Sequence, residues 1–87
     1  MRQDEEFFDG RELLLVYIAK RLREAQRLEA LFDEAGLDYL VEADTYRGGV
    51  LFVRELTGAF FYVAEGDKER AAGVLLANKL RPYEPVE

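Results

Sequence analysis

The 87-residue chain predicts an α+β fold, one sheet with helices packed against it, on three observations. Apolar spacing switches from strand-like to helix-like and back along the chain. A glycine stop after one amphipathic stretch and an acidic start before another mark helix ends. Between and around them lie β-branched and aromatic runs punctuated by glycine.

Taken in order, residues 1 to 12 hold five acids and two arginines around Phe7 and Phe8. They predict a mobile arm able to dock through its two phenylalanines, rather than a short helix, because Gly10 lies within them. Leu13 to Ala19, LLLVYIA, is a short unbroken apolar run, the pattern of a strand covered on both faces. In KRLREAQRLEALFDEAG the residues Leu22, Ala25, Leu28, Leu31, Phe32 and Ala35 recur at three- and four-residue steps, one stripe of an amphipathic helix. Gly36 closes that helix in the left-handed conformation, with Leu37 placed to touch Phe32.

Leu37, Tyr39, Val41 and Ala43 then alternate with Asp38, Leu40 and Glu42, the period of a strand with one wetter face. DTYRGG, Asp44 to Gly49, is expected to be a loop on the strength of its Gly-Gly pair. Val50 to Arg54 and Ala59 to Ala64 are two further strand candidates, with ELTG as the turn between them. In GDKERAAGVLLANKL helical spacing returns, with Asp67 as expected N-cap and the small Gly73 available for close packing on the sheet. Pro82 and Pro85 end regular structure.

The predicted order is thus β-α-β-β-β-α, a single domain over residues 13 to 80 between an acidic arm and a tail over residues 81 to 87. A crossover through the first helix places its flanking strands side by side or one strand apart. Both helices then lie on one face of a mostly antiparallel sheet, a two-layer sandwich of ferredoxin-like type.

Composition narrows the chemistry. There is no histidine, cysteine or serine, which removes the usual general base, thiolate and zinc chemistry, and the serine triad. Eighteen acids against twelve bases give a net charge of −6, which argues against nucleic acid as partner. Lys20, Arg21, Arg23 and Arg27 cluster, but acids interleave with them as on a solvated helix face. No apolar run approaches a membrane span and the N-terminus lacks a signal pattern, so a cytoplasmic protein is expected. Glu42 with Asp44, and Glu65 with Asp67, are spaced to hold a cation or move a proton, but acids at strand ends are ordinarily solvated. No metal or cofactor is expected.

At this point the stretch LVYIAKRLREAQRLEALFDEAGLDYLVE, with FFYVAEGDKERAAGVL further on, resembles a family of short bacterial proteins described as signal-transducing. Their domain is PII-like and ferredoxin-like, and the likeness covers residues 13 to 77. It implies a fold and a regulatory or binding role, and it carries over no catalytic residue. The chain departs from the family in the extra segment VLFVREL. It also lacks the nucleotide-binding signatures of true PII proteins, so neither ATP nor 2-oxoglutarate is implied.

Two surfaces are candidates for function. Asp44, Tyr46, Arg47, Gly48 and Gly49, with Arg54 nearby, form a ligand- or partner-binding candidate, because Tyr and Arg dominate hot spots and glycine lets a backbone come close. Strict alternation turns Leu13, Leu15 and Tyr17 one way and Leu14, Val16 and Ile18 the other, with Phe60 and Tyr62 opposing Phe61 and Val63. Two helices cover one face only. The other is expected to be covered by a second copy, giving an interface of Leu15, Tyr17, Phe52, Phe60 and Tyr62, or by the arm carrying Phe7 and Phe8, the alternative being a face only partly apolar and tolerated as in many small α+β monomers.

Three functional classes fit. The first is a small, homo-oligomeric regulatory or interaction module, most simply a dimer. The second is a small dimeric enzyme of ferredoxin-like type using Tyr39, Glu42, Arg54 or Tyr62 on an organic substrate. The third is an ACT-like ligand sensor, whose turn after the first strand is here Ala19-Lys20-Arg21, without the glycine that site uses.

Overall fold

The computed structural model describes residues 1–48 and 54–84. Within them the order is a 3-10 turn Glu5–Phe8, β1 (Leu13–Ala19), α1 (Leu22–Glu34), β2 (Leu40–Gly48), β3 (Arg54–Ala64), a 3-10 turn Glu65–Asp67, and α2 (Lys68–Ala77). Among the described residues the sheet has three strands in the order β1-β3-β2, every neighbouring pair antiparallel. The strands flanking α1 therefore lie one strand apart, an expected alternative. No helix of the described residues is long and apolar enough to cross a membrane.

The first helix is built as its sequence dictates. Gly36 sits at φ +72°, the Leu37 amide donates to the Phe32 carbonyl at 3.0 Å, and the Gly36 amide donates to Asp33 at 3.1 Å. That pair of bonds is the Schellman stop. Ala25, Leu28 and Phe32 are buried, whereas Leu22, placed on the same stripe by spacing, is 75% exposed at the first turn. Phe32 meets Phe61 edge-on at 6.0 Å between centroids and Tyr39 at 5.5 Å. Val16, Val63, Ala71 and Leu75 complete the same core, so α1 and α2 cover one face of the sheet together.

Two expectations for α2 are corrected. Asp67 stands at the N-cap position but caps no amide, since a 3-10 turn precedes the helix and its carboxylate pairs with Arg70 at 3.6 Å. Gly73 faces solvent, and a methyl group there would touch nothing within 4 Å, so its smallness serves no packing against the sheet. The helix ends in a second Schellman arrangement, Leu80 to Leu75 at 2.9 Å and Lys79 to Leu76 at 3.1 Å, with Lys79 itself at φ +61°.

The segments expected to be a loop and a turn are strand instead. Asp44 to Gly48 belong to β2, and Glu55 to Gly58, the expected ELTG turn, belong to an unbroken β3. They pair with each other, Asp44 opposite Gly58 through Gly48 opposite Arg54. The strand expected over Val50 to Arg54 lies outside the described residues except for Arg54, which begins β3. β1 ends opposite Ala59, so these five pairs extend beyond the three-stranded body by roughly 15 Å. Tyr46 explains why glycines lie here without making a turn. A Cβ on Gly58 would come to 3.1 Å from the Tyr46 ring, from Ile18 and from the Ala19 carbonyl, and one on Gly48 to 2.8 Å from Leu56.

A bulge in β1 reassigns its faces. Leu15 opposes Tyr62 but Tyr17 opposes Phe61, leaving Val16 as the extra residue. Val16 and Tyr17 consequently both turn toward the helices, and Ile18 joins Leu15 on the helix-free side. This corrects the placement of Tyr17 and Ile18 by strict alternation.

The arm is ordered and partly helical, because the 3-10 turn ends before Gly10, which takes φ +77° after it. Residues 1 to 3 run parallel to the start of β2, with the Gln3 amide donating to Tyr39 at 2.8 Å. Asp4 accepts from the Phe7 amide at 3.1 Å and so caps the turn. The chain then crosses beneath the sheet to begin β1 at the opposite edge.

Candidate functional site

The helix-free face is divided in two. On one half, Phe8 (3% exposed) lies on Leu40 and Ala64, with Leu13 and Tyr62 packed around them. The arm thus covers part of the apolar face, which was one of the two expected covers, but it does so through Phe8 alone. Phe7 stands at right angles to Phe8, 4.9 Å away, and is 42% exposed. Arg11 fixes both rings, its guanidinium 5.0 Å from each centroid and its Nη2 donating to the Phe7 carbonyl at 2.9 Å.

The other half is an open groove of about 610 Å³. Leu15, Ile18 and Phe60 line it, the projecting ends of β2 and β3 close one side with Tyr46, and the segment Arg81–Glu84 closes the other. That segment lies along the outer edge of β1, where the Tyr83 amide donates to the Val16 carbonyl at 2.7 Å. A second groove, between this segment and α2, is lined by Val16, Ala72, the exposed Leu76 and Tyr83.

Electrostatics distinguish the first groove from the rest of an acidic molecule. Lys20 holds its ammonium 5.4 Å from the centre of the Tyr46 ring, an attraction worth about 0.5–1 kcal/mol at an exposed site. Arg47 and Arg81 border the same groove, against one acid, Glu84. All four residues of the basic cluster are exposed, as on a solvated face; Lys20 also belongs to this rim, and Arg27 donates to the Asn78 carbonyl at 3.3 Å.

The binding candidates fall as follows. Tyr46 and Arg47 border the groove, and Gly48 sits beyond them under Leu56. Asp44 is on the same face as Glu42, and its Oδ1 accepts the Thr45 amide at 2.7 Å. Gly49 and Phe52 lie outside the described residues, as does the side chain of Arg54. Of the interface candidates, Leu15 and Phe60 line the groove and Tyr62 lies beneath the arm. Tyr17 reaches the groove edge but packs mainly against the helix side, where burial and the neighbouring Glu24 raise its hydroxyl above the usual tyrosine value.

Of the residues suspected of catalysis, Tyr39 is 1% exposed in the core, its hydroxyl donating to Asp33 at 3.0 Å. It is a packed core residue, inaccessible to a substrate. Glu42 is half-buried at the arm's edge, where hydrogen bonding to the Glu5 carboxyl raises its pKa, with burial and the charges of Glu5 and Asp44 adding to the shift. The chief cause is a second acid carried on the arm rather than an enclosed cleft. The residues that sequence reasoning missed are Ile18, Lys20 and the Arg81–Glu84 segment. Only the Val16 bulge and the return of the tail to β1 bring them together, and neither has a local sequence signal.

Comparison with family models, curated proteins and solved structures gives no match for this chain.

Proposed function

We propose that the chain is a small interaction module that docks a protein partner on the open half of its helix-free sheet face, a second copy of itself being the first such partner. The observation that carries this reading is the division of that face. One half is sealed by Phe8, while the other presents Leu15, Ile18 and the Tyr46 ring over the buried Phe60, with three cations and one acid on its rim. Aromatic and arginine side chains around a hydrophobic centre are the composition of interaction hot spots. The missing histidine, cysteine and serine leave catalysis with little to work with.

We read the topology as ferredoxin-like, without the last strand among the described residues. A helix follows β1, another follows β3, the order is β1-β3-β2, and Arg81–Glu84 lies at the edge of β1. The likeness of residues 13 to 77 to the PII-like signal-transducing family supports the regulatory sense of the same reading, and a cytoplasmic setting is its natural corollary.

The test is dilution followed by amide NMR. Going from high to low micromolar concentration, the reading expects shifts concentrated at Leu15, Ile18, Lys20, Tyr46 and Phe60, with the outer face of α1 unmoved. Spectra that superimpose at every concentration, or shifts confined to the helices, contradict it.

A further inference from the structure

The two halves of the helix-free face are complementary to each other. The arm half is mainly acidic: the exposed Phe7 is surrounded in sequence by Asp4, Glu5, Glu6 and Asp9, with Arg11 as the one cation against its ring. The groove half is hollow, with Lys20, Arg47 and Arg81 and one acid, Glu84, around an apolar floor, while Glu42 and Asp44 stand on the same sheet face opposite Phe60 and Gly58. Because both halves lie on one sheet face, a two-fold axis through that face lays each arm half on the partner's hollow half. Such an isologous contact closes on itself and leaves no free patch for further growth.

We propose that two copies associate in this way, each seating Phe7 of its arm in the partner's groove of Leu15, Ile18, Tyr46 and Phe60 while Glu6 and Asp9 face Lys20 and Arg81. This rests on the docking reading above and names its partner and its contact. Three further observations support it. The 3-10 turn and Arg11 hold Phe7 outward in a fixed orientation, so little side-chain freedom is lost on docking. The charges that meet are opposite, although the whole chain carries −6 and two copies would otherwise repel. Finally, an interface of standard size takes about 800 Å² from each partner, a small share of the 6512 Å² that the chain exposes.

The experiment is a charge-swap mixture, with mass measured by light scattering and fold checked by circular dichroism. One variant carries Glu6→Lys with Asp9→Lys, the other Lys20→Glu with Arg81→Glu. Each alone opposes like charges at both reciprocal contacts and is expected to self-associate at least about tenfold more weakly than the native chain. Mixed in equal amounts they restore both contacts at once, and a heterodimer near native affinity is expected. Phe7→Ala should weaken association by roughly 30-fold, and added salt should weaken the native dimer. If the native chain dimerises and Ile18→Arg disrupts it while the mixture shows no rescue and Phe7→Ala no effect, the arm-in-groove contact is wrong and the docking surface stands. If the native chain is monomeric throughout, both fall.

Discussion

Single residues show how unevenly local rules hold. Gly73 occupies an exposed mid-helix position where a methyl group meets nothing. Gly73→Ala is therefore expected to stabilise the fold by about 0.5–1 kcal/mol, read as a higher urea midpoint at unchanged slope. No gain would mean that α2 needs the glycine for a reason absent from its packing. Glu42 gives a pH-dependent expectation. Its folded pKa lies above the unfolded value, chiefly through the hydrogen bond to Glu5. The folded state thus holds the proton of Glu42 more tightly, a stabilisation present below the unfolded pKa and lost as pH rises through the folded one. Glu42→Gln should therefore raise Tm by roughly 1–2 °C at neutral pH and by less in acid. Equal effects at both pH values would remove Glu5 as the cause. Lys79 is the opposite case, a side chain tolerated at φ +61° because two backbone bonds stop α2 around it.

At the scale of elements, helix ends were legible and strand ends were not. Gly36 has one conformational use where it stands, and the spacing before it already defined the buried stripe of α1. In the β2–β3 ladder glycine meant something else. Gly48 and Gly58 make room for Leu56 and Tyr46 across the sheet, and the same residue that signals a turn there signals close side-chain approach. A bulge leaves no trace in a run as uniform as LLLVYIA, so the single extra residue at Val16 moved Tyr17 and Ile18 to the faces opposite those their spacing predicts. Half of the candidate site was consequently visible in advance, as Tyr46, Arg47, Leu15 and Phe60. Its cationic and C-terminal walls depend on long-range chain return. The arm makes the clearest element-scale prediction. Phe8 is buried on Leu40 and Ala64, and Phe8→Ala should cost about 3 kcal/mol by chemical denaturation. The same change should expose the backbone of residues 1 to 12 to rapid hydrogen exchange. An arm that stays protected in the variant would show that the pairing of residues 1 to 3 with Tyr39 holds it instead.

The described residues form a small core on one side of the sheet and a groove on the other. Two helices and three strands bury Phe32, Tyr39, Phe61 and Leu28 almost completely on one side. On the other side the arm seals half of a largely apolar face that also carries Glu42 and Asp44, and the remaining half lies open between the β2–β3 extension and Arg81–Glu84. The site follows from the arm's length and from the bulge that adds Ile18 to the groove. Sedimentation equilibrium of the native chain across the micromolar range tests this most directly. A mass rising from 10.0 kDa toward twice that value, and held at 10.0 kDa by Ile18→Arg in the groove, is the predicted result. A native chain of 10.0 kDa at every concentration would contradict it.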